Sequence, residues 1–454
     1  MFWPRSYCLL SAGGVLLDII RRYIETRGST NFDRWRALTP ATRRGIVARL
    51  GSIKVINGRH DCMNEIVIVS ATRTPLGSFQ GTLAGVPAPR LGATAIRGAV
   101  SQAGLPPNSV TDVLMGSVLQ AGLGQAPARQ AAIQAGLSPA TRCVTINKVG
   151  GSGLQAVIDG ARALRLGEAK FVVAGGMENM SAAPYLLPKA RAGYRLGHQQ
   201  AVDSIIHDGL WDPYNQIHMG GCAEQCAAKY GFTRERQDAF AVESFKRANA
   251  AQEDGRFARE ITPVELSEAR SGGARVERDE GPSRVKYDRI STLKPSFAED
   301  GTITPANASS LNDGAAALVL AMSDDAGAMG LKPLARVVAF GSHAQDPLWF
   351  TTAPVQAAQR ALRSAGWSVG NVDLWEVNEA FAVVPLAFAM ELGVPHERIN
   401  VRGGAIALGH PIGASGARIL VTLLAALRER QGRRGVAAIC IGGGEGLAAC
   451  IELI

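Results

Sequence analysis

The chain has no run of eighteen apolar residues, so it offers no membrane span. Charge is sparse for 454 residues, at 19% Asp, Glu, Lys and Arg, and the net +9 is unevenly placed. Residues 1–62 hold eleven Lys and Arg against four Asp and Glu, so +7 sits there and +2 remains for the other 392 residues. A nearly neutral body argues against a nucleic-acid-binding fold. Cysteine is scarce and irregular, with seven residues at 8, 62, 143, 222, 226, 440 and 450. An odd count without a repeating spacing argues against a disulfide framework and for a reducing compartment. What the chain does have is glycine, 52 residues, above the average of roughly 7%. The glycines cluster beside apolar runs, so they mark turns.

The first 62 residues do not read like the rest. They are Arg-rich, and the apolar stretch around Leu9–Ile20 is interrupted by Asp18 with no clean small-residue cleavage pattern after it. Three readings stay open. The extension is an over-long reading frame ahead of a start at Met63, a mitochondrial transit segment, or an accessory arm. A start at Met63 implies the cytoplasm; a transit segment implies the mitochondrion.

From Glu65 onward, apolar strand patterns alternate with amphipathic helical ones, the pattern of βαβ units in an α/β fold. "EIVIVSATRTP", "VTDVLMGSVL", "TRCVTINKV" and "KFVVAGGMEN" read as strands, the last of the fully buried, parallel kind. The C-terminal part repeats this grammar. "VDLWEVNEAF" is strand then helix, "INVRGGAIALGHPIGASGARILVTLLAAL" is strand, glycine turn, helix, and "VAAICIGGGEGLAACIEL" is strand, turn, strand. "INKVGGSGLQA" matches "INVRGGAIALG", and "FVVAGGMEN" matches "AICIGGGEG". Short internal matches of this kind predict a doubled fold. Residues 63–180 with 311–333 form one half and 334–454 the other. Residues 181–310, rich in loop residues around the helical "TRERQDAFAVESFKRANAAQEDG", form an inserted loop domain.

Three glycine turns of the second half carry reactive side chains. "GHPIGASG" places His410 before a helix start, "CIGGGEG" places Cys440 at the end of a buried strand, and "VNEAF" places Asn378 and Glu379 at a strand–helix junction. Histidine is a general base near neutral pH, a thiolate is both nucleophile and base, and an Asn amide serves an oxyanion. Each alone reads more readily as packing: a structural His, a Cys acting as a small hydrophobe. Together they lie at carboxyl ends of strands, where ligands gather in α/β folds. In the first half, "NKVGGSGLQAV" (147–157) has the same strand–turn–helix form, but its only side-chain nucleophile is Ser152.

These stretches, with "SATRTPLGSFQGTLAGVPAPRLGATAI", "VAGGMENMSAAPYLLPKAR", "HMGGCAEQ" and "NASSLNDGAAAL", closely resemble the thiolase family, specifically its short-chain acetyl-CoA acetyltransferases. The resemblance runs from about Asn64 to Ile454. It implies a doubled βαβ fold in five layers, α-β-α-β-α, with the inserted loop domain. It implies reversible Claisen condensation of two acetyl-CoA to acetoacetyl-CoA and CoA, no cofactor beyond CoA thioesters as substrates, and a homodimer or homotetramer. It implies that His410 activates a nucleophilic thiol and lines a first oxyanion hole with a water held by Asn378. Cys440 is the base at the α-carbon, and the backbone N–H groups of Gly150 and Gly442 form a second oxyanion hole. His218, Met219, Ser309, Phe350 and Ala380 contact the substrate.

One position departs from this pattern. The family turn reads Asn-Lys-Val-Cys-Gly-Ser-Gly, its Cys carries the acyl group, and the matching residue here is Gly150. Cys143 lies seven residues back on the strand, too far at about 3.3 Å per residue to replace it. Three readings follow: an acetyltransferase with a vacated nucleophile position, a non-catalytic acyl-CoA-binding paralogue, or a thioester decarboxylase using the oxyanion holes. The family's Met-Gly-x-Gly-Pro stretch is Phe350-Thr351-Thr352-Ala353-Pro354 here, which predicts an altered acyl pocket. Cys222 and Cys226 follow His218 at helical spacing, but without a fourth ligand they read as small helix residues rather than a metal site. Lys189, Arg191 and Arg195 read as an exposed basic face.

Overall fold

The architecture comes from a computed structural model. It describes residues 65–266 and 273–454, which belong to one compact unit, Asn64–Ile454. The 1–62 extension, whose origin the sequence leaves open, lies outside the described residues.

Nine strands form the frame: β1 (Ile66–Arg73), β2 (Asp112–Gly116), β3 (Arg142–Ile146), β4 (Phe171–Asn179), β5 (Asn312–Met322), β6 (Ala335–Ala344), β7 (Leu374–Val377), β8 (Arg434–Ile441) and β9 (Glu445–Leu453). They pair in the order β7-β8-β9-β6-β1-β5-β4-β2-β3. The halves join where β1 meets β6, through Val67 opposite Arg336 and Ile68 opposite Ala335. The buried strand β4 is parallel to β2 on one side, as its apolar run predicts, but antiparallel to β5 on the other. The chain reaches β5 through the long insert rather than through a crossover helix, so no parallel geometry is imposed there.

Among the described residues the longer helices are α1 (Ala88–Ala103), α2 (Pro127–Gln134), α3 (Ser152–Arg165), α4 (Met219–Tyr230), α5 (Arg234–Glu253), α6 (Ala353–Ala365), α7 (Val383–Leu392) and α8 (Ile412–Glu429). All but α5 join the sheet's cores, and α5 packs instead on Ile406, Ala407 and Leu408. The period-2 alternation of the strands sorts them into layers. In β5, Leu318 and Leu320 join a core with α3 and α8, while Ala317 and Val319 face a second core with α1 and α2. In β8, Ile439 and Ile441 share the α3/α8 core, and Val436, Ala438 and Cys440 face a third with α4, α6 and α7. The result is α1/α2, sheet, α3/α8, sheet, α6/α7: the five layers that the resemblance implies.

The central helices touch backbone to backbone. A Cβ on Gly153 would lie 2.7 Å from the amide nitrogen of Ala417, and one on Gly416 would lie 2.8 Å from the Cβ of Leu154. Glycine on both helices permits that approach, and it brings the two turns that launch α3 and α8 together. This corrects the internal match read from the sequence. "INVRGG" forms no strand; Ile399 makes one isolated bridge to Trp375 before a turn and a short helix, Ala405–Leu408. The structural counterpart of the Gly150 turn is therefore the Gly409–Pro411 turn.

Residues 181–310 contain short two-residue ladders, such as Trp211–Asp212 against Ile217–His218, ahead of α4 and α5. The helical reading of "TRERQDAFAVESFKRANAAQEDG" becomes α5, with Thr233 as N-cap accepting from the Arg236 N–H.

Candidate active site

A cavity of about 540 Å³ opens at the ends of α3 and α8 and collects residues from both halves and the insert. Gly150, His410, Cys440, Gly442, His218, Met219, Ser309, Phe350 and Ala380 all line it. Asn378 is fully buried beside it, with its amide Nδ2 3.5 Å from Nε2 of His410. The structure thus brings together every site residue singled out from the sequence.

The Gly150 turn is fastened from within. Lys148 N–H donates to Ser152 Oγ (2.8 Å), and that hydroxyl donates to the Val149 carbonyl (2.6 Å). Ser152 is fully buried and engaged in these bonds, so it closes the turn and is no nucleophile. Val149 holds a φ of +44°, a region that costs a β-branched residue about 1–3 kcal/mol and marks a turn fixed by its surroundings. Gly150 itself is unstrained. A Cβ there would sit 3.5 Å from the Cys440 carbonyl oxygen and 3.5 Å from Cε1 and Nε2 of His410, ordinary contact distances. A salt bridge from Lys148 to Glu445 ties this turn to the glycine turn after Cys440.

His410 is held at three points. Its backbone N–H donates to the Asn312 Oδ1 (3.1 Å) and the Ser310 carbonyl (3.3 Å). Its Nδ1 lies 2.6 Å from Ser415 Oγ. Gly409 before it has a φ of +110° and abuts the Asn312 side chain, so the position admits no Cβ. Burial, with the Arg418 guanidinium as a second cause, pushes the imidazole down to about 3. His410 is therefore a neutral ring at ordinary pH. Cys440, at the end of β8, is pushed up to about 12 by burial, so its resting form is the thiol.

Asn378 presents an orphan acceptor. Among the described residues its Oδ1 is buried without a partner, which suits a bound water or a substrate donor. Its neighbour Glu379 is spent structurally, accepting from Ser244 Oγ (2.7 Å), Asn400 Nδ2 (2.8 Å) and the Ile406 N–H (3.1 Å). Those bonds brace the loop that carries Asn378.

One wall is aromatic. His218 stacks on Phe297 at 4.7 Å, Phe297 meets Phe381 edge-on at 6.1 Å, and Phe350 meets Phe381 at 6.5 Å. The His218 Nδ1 accepts from the Gly220 N–H as N-cap of α4, and burial lowers its basicity. Cys222 and Cys226 lie buried on α4, Cys222 with its thiol 3.9 Å from the Asp212 Oδ2, and the described residues contain no cluster suited to a metal ion. Lys189, Arg191 and Arg195 are exposed. Sequence reasoning missed Ser415, Asn312, Phe297 and Phe381. Ser415 stands five residues after His410 in "GHPIGASG", and Asn312 lies in "NASSLNDG", so their motifs were in view. The phenylalanines carry no local signal.

The chain is similar to known proteins over most of its length. The thiolase N-terminal domain model matches residues 66–324 and the thiolase C-terminal domain model residues 331–453. An acetyl-CoA acetyltransferase of Pseudomonas aeruginosa is 53% identical over 387 residues, covering 85% of this chain and 98% of that one. One from Cupriavidus necator is 51% identical over 391 residues, covering 86% of this chain and 100% of that one. The crystal structure of the Acat5 thiolase of Ascaris suum in complex with coenzyme A superposes with a TM-score of 0.82 at 43% identity, covering 86% of this chain and all of that one.

Proposed function

The chain belongs to the thiolase family, and on that premise we propose that its cavity is an acetyl-CoA C-acetyltransferase site whose acyl-carrying position is vacant. The observation that carries the proposal is the convergence of His410, Cys440 and Asn378 on the Gly150 turn in one cavity.

The family reaction runs through two half-reactions. In the cleavage direction a thiol at position 150 attacks the keto carbonyl of acetoacetyl-CoA. The C–C bond breaks, the acetyl group stays on sulfur, and the acetyl-CoA enolate leaves with its electron pair. A resting Cys440 thiol has the proton that this enolate needs, and its thiolate can then take the proton of the incoming CoA thiol. His410 takes the proton of the attacking thiol. In this reading Asn378, through a water on its Oδ1, and the N–H groups of Gly150 and Gly442 serve the two oxyanions. Condensation is the reverse.

Gly150 keeps the N–H but supplies no sulfur. Loss of a covalent nucleophile costs other enzymes about 10⁶ in rate. The chain as written is thus expected to bind acetyl-CoA, acetoacetyl-CoA and CoA without forming an acyl-enzyme. That same residue favours the second reading, an acyl-CoA-binding paralogue. Calorimetric titration with acetoacetyl-CoA tests the site: saturable binding supports it, and no binding by a folded protein rejects it. Restoration of thiolysis by Gly150→Cys then separates a vacated enzyme from a binding paralogue.

We also propose that the working form is a homo-oligomer. Among the described residues strand β3 forms one edge of the sheet, and its Val144 is 53% exposed, an edge suited to pairing with another copy.

A further inference from the structure

We propose that Ser415 is a positioning residue that fixes His410 as the Nδ1–H tautomer, leaving the Nε2 lone pair aimed at position 150. Two independent contacts lead there. The Ser415 hydroxyl has one proton, and it lies 2.9 Å from the Pro411 carbonyl oxygen, a group that only accepts. With its proton directed to Pro411, the Ser415 oxygen faces His410 Nδ1 at 2.6 Å as an acceptor, so Nδ1 must bear the hydrogen. On the other side of the ring, the group facing Nε2 is the Asn378 amide nitrogen at 3.5 Å, which only donates. Both neighbours therefore ask for the same tautomer.

The ring is kept neutral by its burial, so the choice of tautomer rather than of charge decides what Nε2 can do. A Cβ at position 150 would lie 3.5 Å from Nε2. A thiol on that carbon would find a lone pair ready to receive its proton. The imidazolium so formed would keep its Nδ1–H on Ser415. The Ser415 oxygen thus matters most after the proton has moved, because a hydrogen bond to a charged donor is the stronger kind.

This inference rests on reading the cavity as the acetyl-transfer site, but its first test does not depend on activity. Nitrogen-15 NMR of histidine-labelled protein, with His410 assigned by the signal lost in His410→Gln, should show a protonated Nδ1 and an unprotonated Nε2. A protonated Nε2 in the unliganded protein would overturn the proposal whether or not substrate binds. Ser415→Ala should mix the tautomers, and Ser415→Thr, which keeps the hydroxyl, should restore the single one. In the Gly150→Cys background, Ser415→Ala should slow alkylation of the new thiol at neutral pH by about tenfold, with Ser415→Thr recovering most of it. Unchanged tautomer and unchanged alkylation in a folded Ser415→Ala would remove Ser415 from the role. Should that variant not fold, the spectrum of the unsubstituted protein still decides the tautomer.

Discussion

A Cβ built on Gly150 touches the Cys440 carbonyl and the His410 ring at 3.5 Å and meets nothing closer, so the position tolerates a side chain. Replacing glycine where the backbone is unstrained removes freedom mainly from the unfolded chain. Gly150→Ala is therefore expected to raise stability by about 0.4–1 kcal/mol, read as a higher urea midpoint at unchanged slope. His410 ties stability to pH. Its folded value is about 3 against an ordinary 6.5. Between those values the unfolded state binds the extra proton, so this residue's contribution falls as pH drops through 6.5 towards 3. Urea denaturation of His410→Gln should accordingly lose part of the decline between pH 7 and pH 4 that the unsubstituted protein shows. Phe350 is 3% exposed and closes the aromatic wall of the cavity. Phe350→Leu should favour longer acyl chains, shifting the ratio of butyryl-CoA to acetyl-CoA affinity by roughly tenfold, the scale of one extra methylene. An unchanged ratio in competition titrations would place the acyl group elsewhere.

At the scale of elements, the site depends on how closely α3 and α8 approach. Gly416→Ala would set a methyl group 2.8 Å from the Leu154 Cβ against buried backbone that cannot give way. Overpacking of this kind costs about 1–3 kcal/mol, and it would also part the two turns that carry Gly150 and His410. Thermal unfolding and acetoacetyl-CoA binding should both weaken in that variant. Binding lost with no change in stability would mean that the helices do not set the site. The elements themselves were largely legible, because β4 and β8 are apolar runs and α5 has its Thr cap. What was not legible depends on partners. Nothing in "INVRGG" shows that its strand-like residues make one bridge rather than a ladder. Nothing in "FVVAGG" shows that one edge of β4 pairs antiparallel, since β4 ends at Asn179 and its neighbour β5 begins only at Asn312, beyond the whole insert. The reactive side chains were visible because glycine turns mark them. Phe297 and Phe381 were invisible because apolar residues join a site only through tertiary placement.

Among the described residues, two halves and an insert close around a cavity, and β3 lies at one edge of the sheet. Light scattering at micromolar concentration should give a dimer or larger, and Val144→Lys, which places charge on that edge, should shift it towards monomer. A monomer without the substitution would reject the oligomer proposal. The central claim is that the described fold retains the site but not the acyl carrier. Intact-protein mass spectrometry after incubation with acetoacetyl-CoA, run beside a thiolysis assay with CoA, tests it most directly. The expected result is no acetyl adduct and no appreciable cleavage with Gly150, but one acetyl group on the new thiol and active cleavage with Gly150→Cys. An acetyl group on Cys440, or cleavage by the Gly150 protein as fast as by its Cys variant, would contradict it.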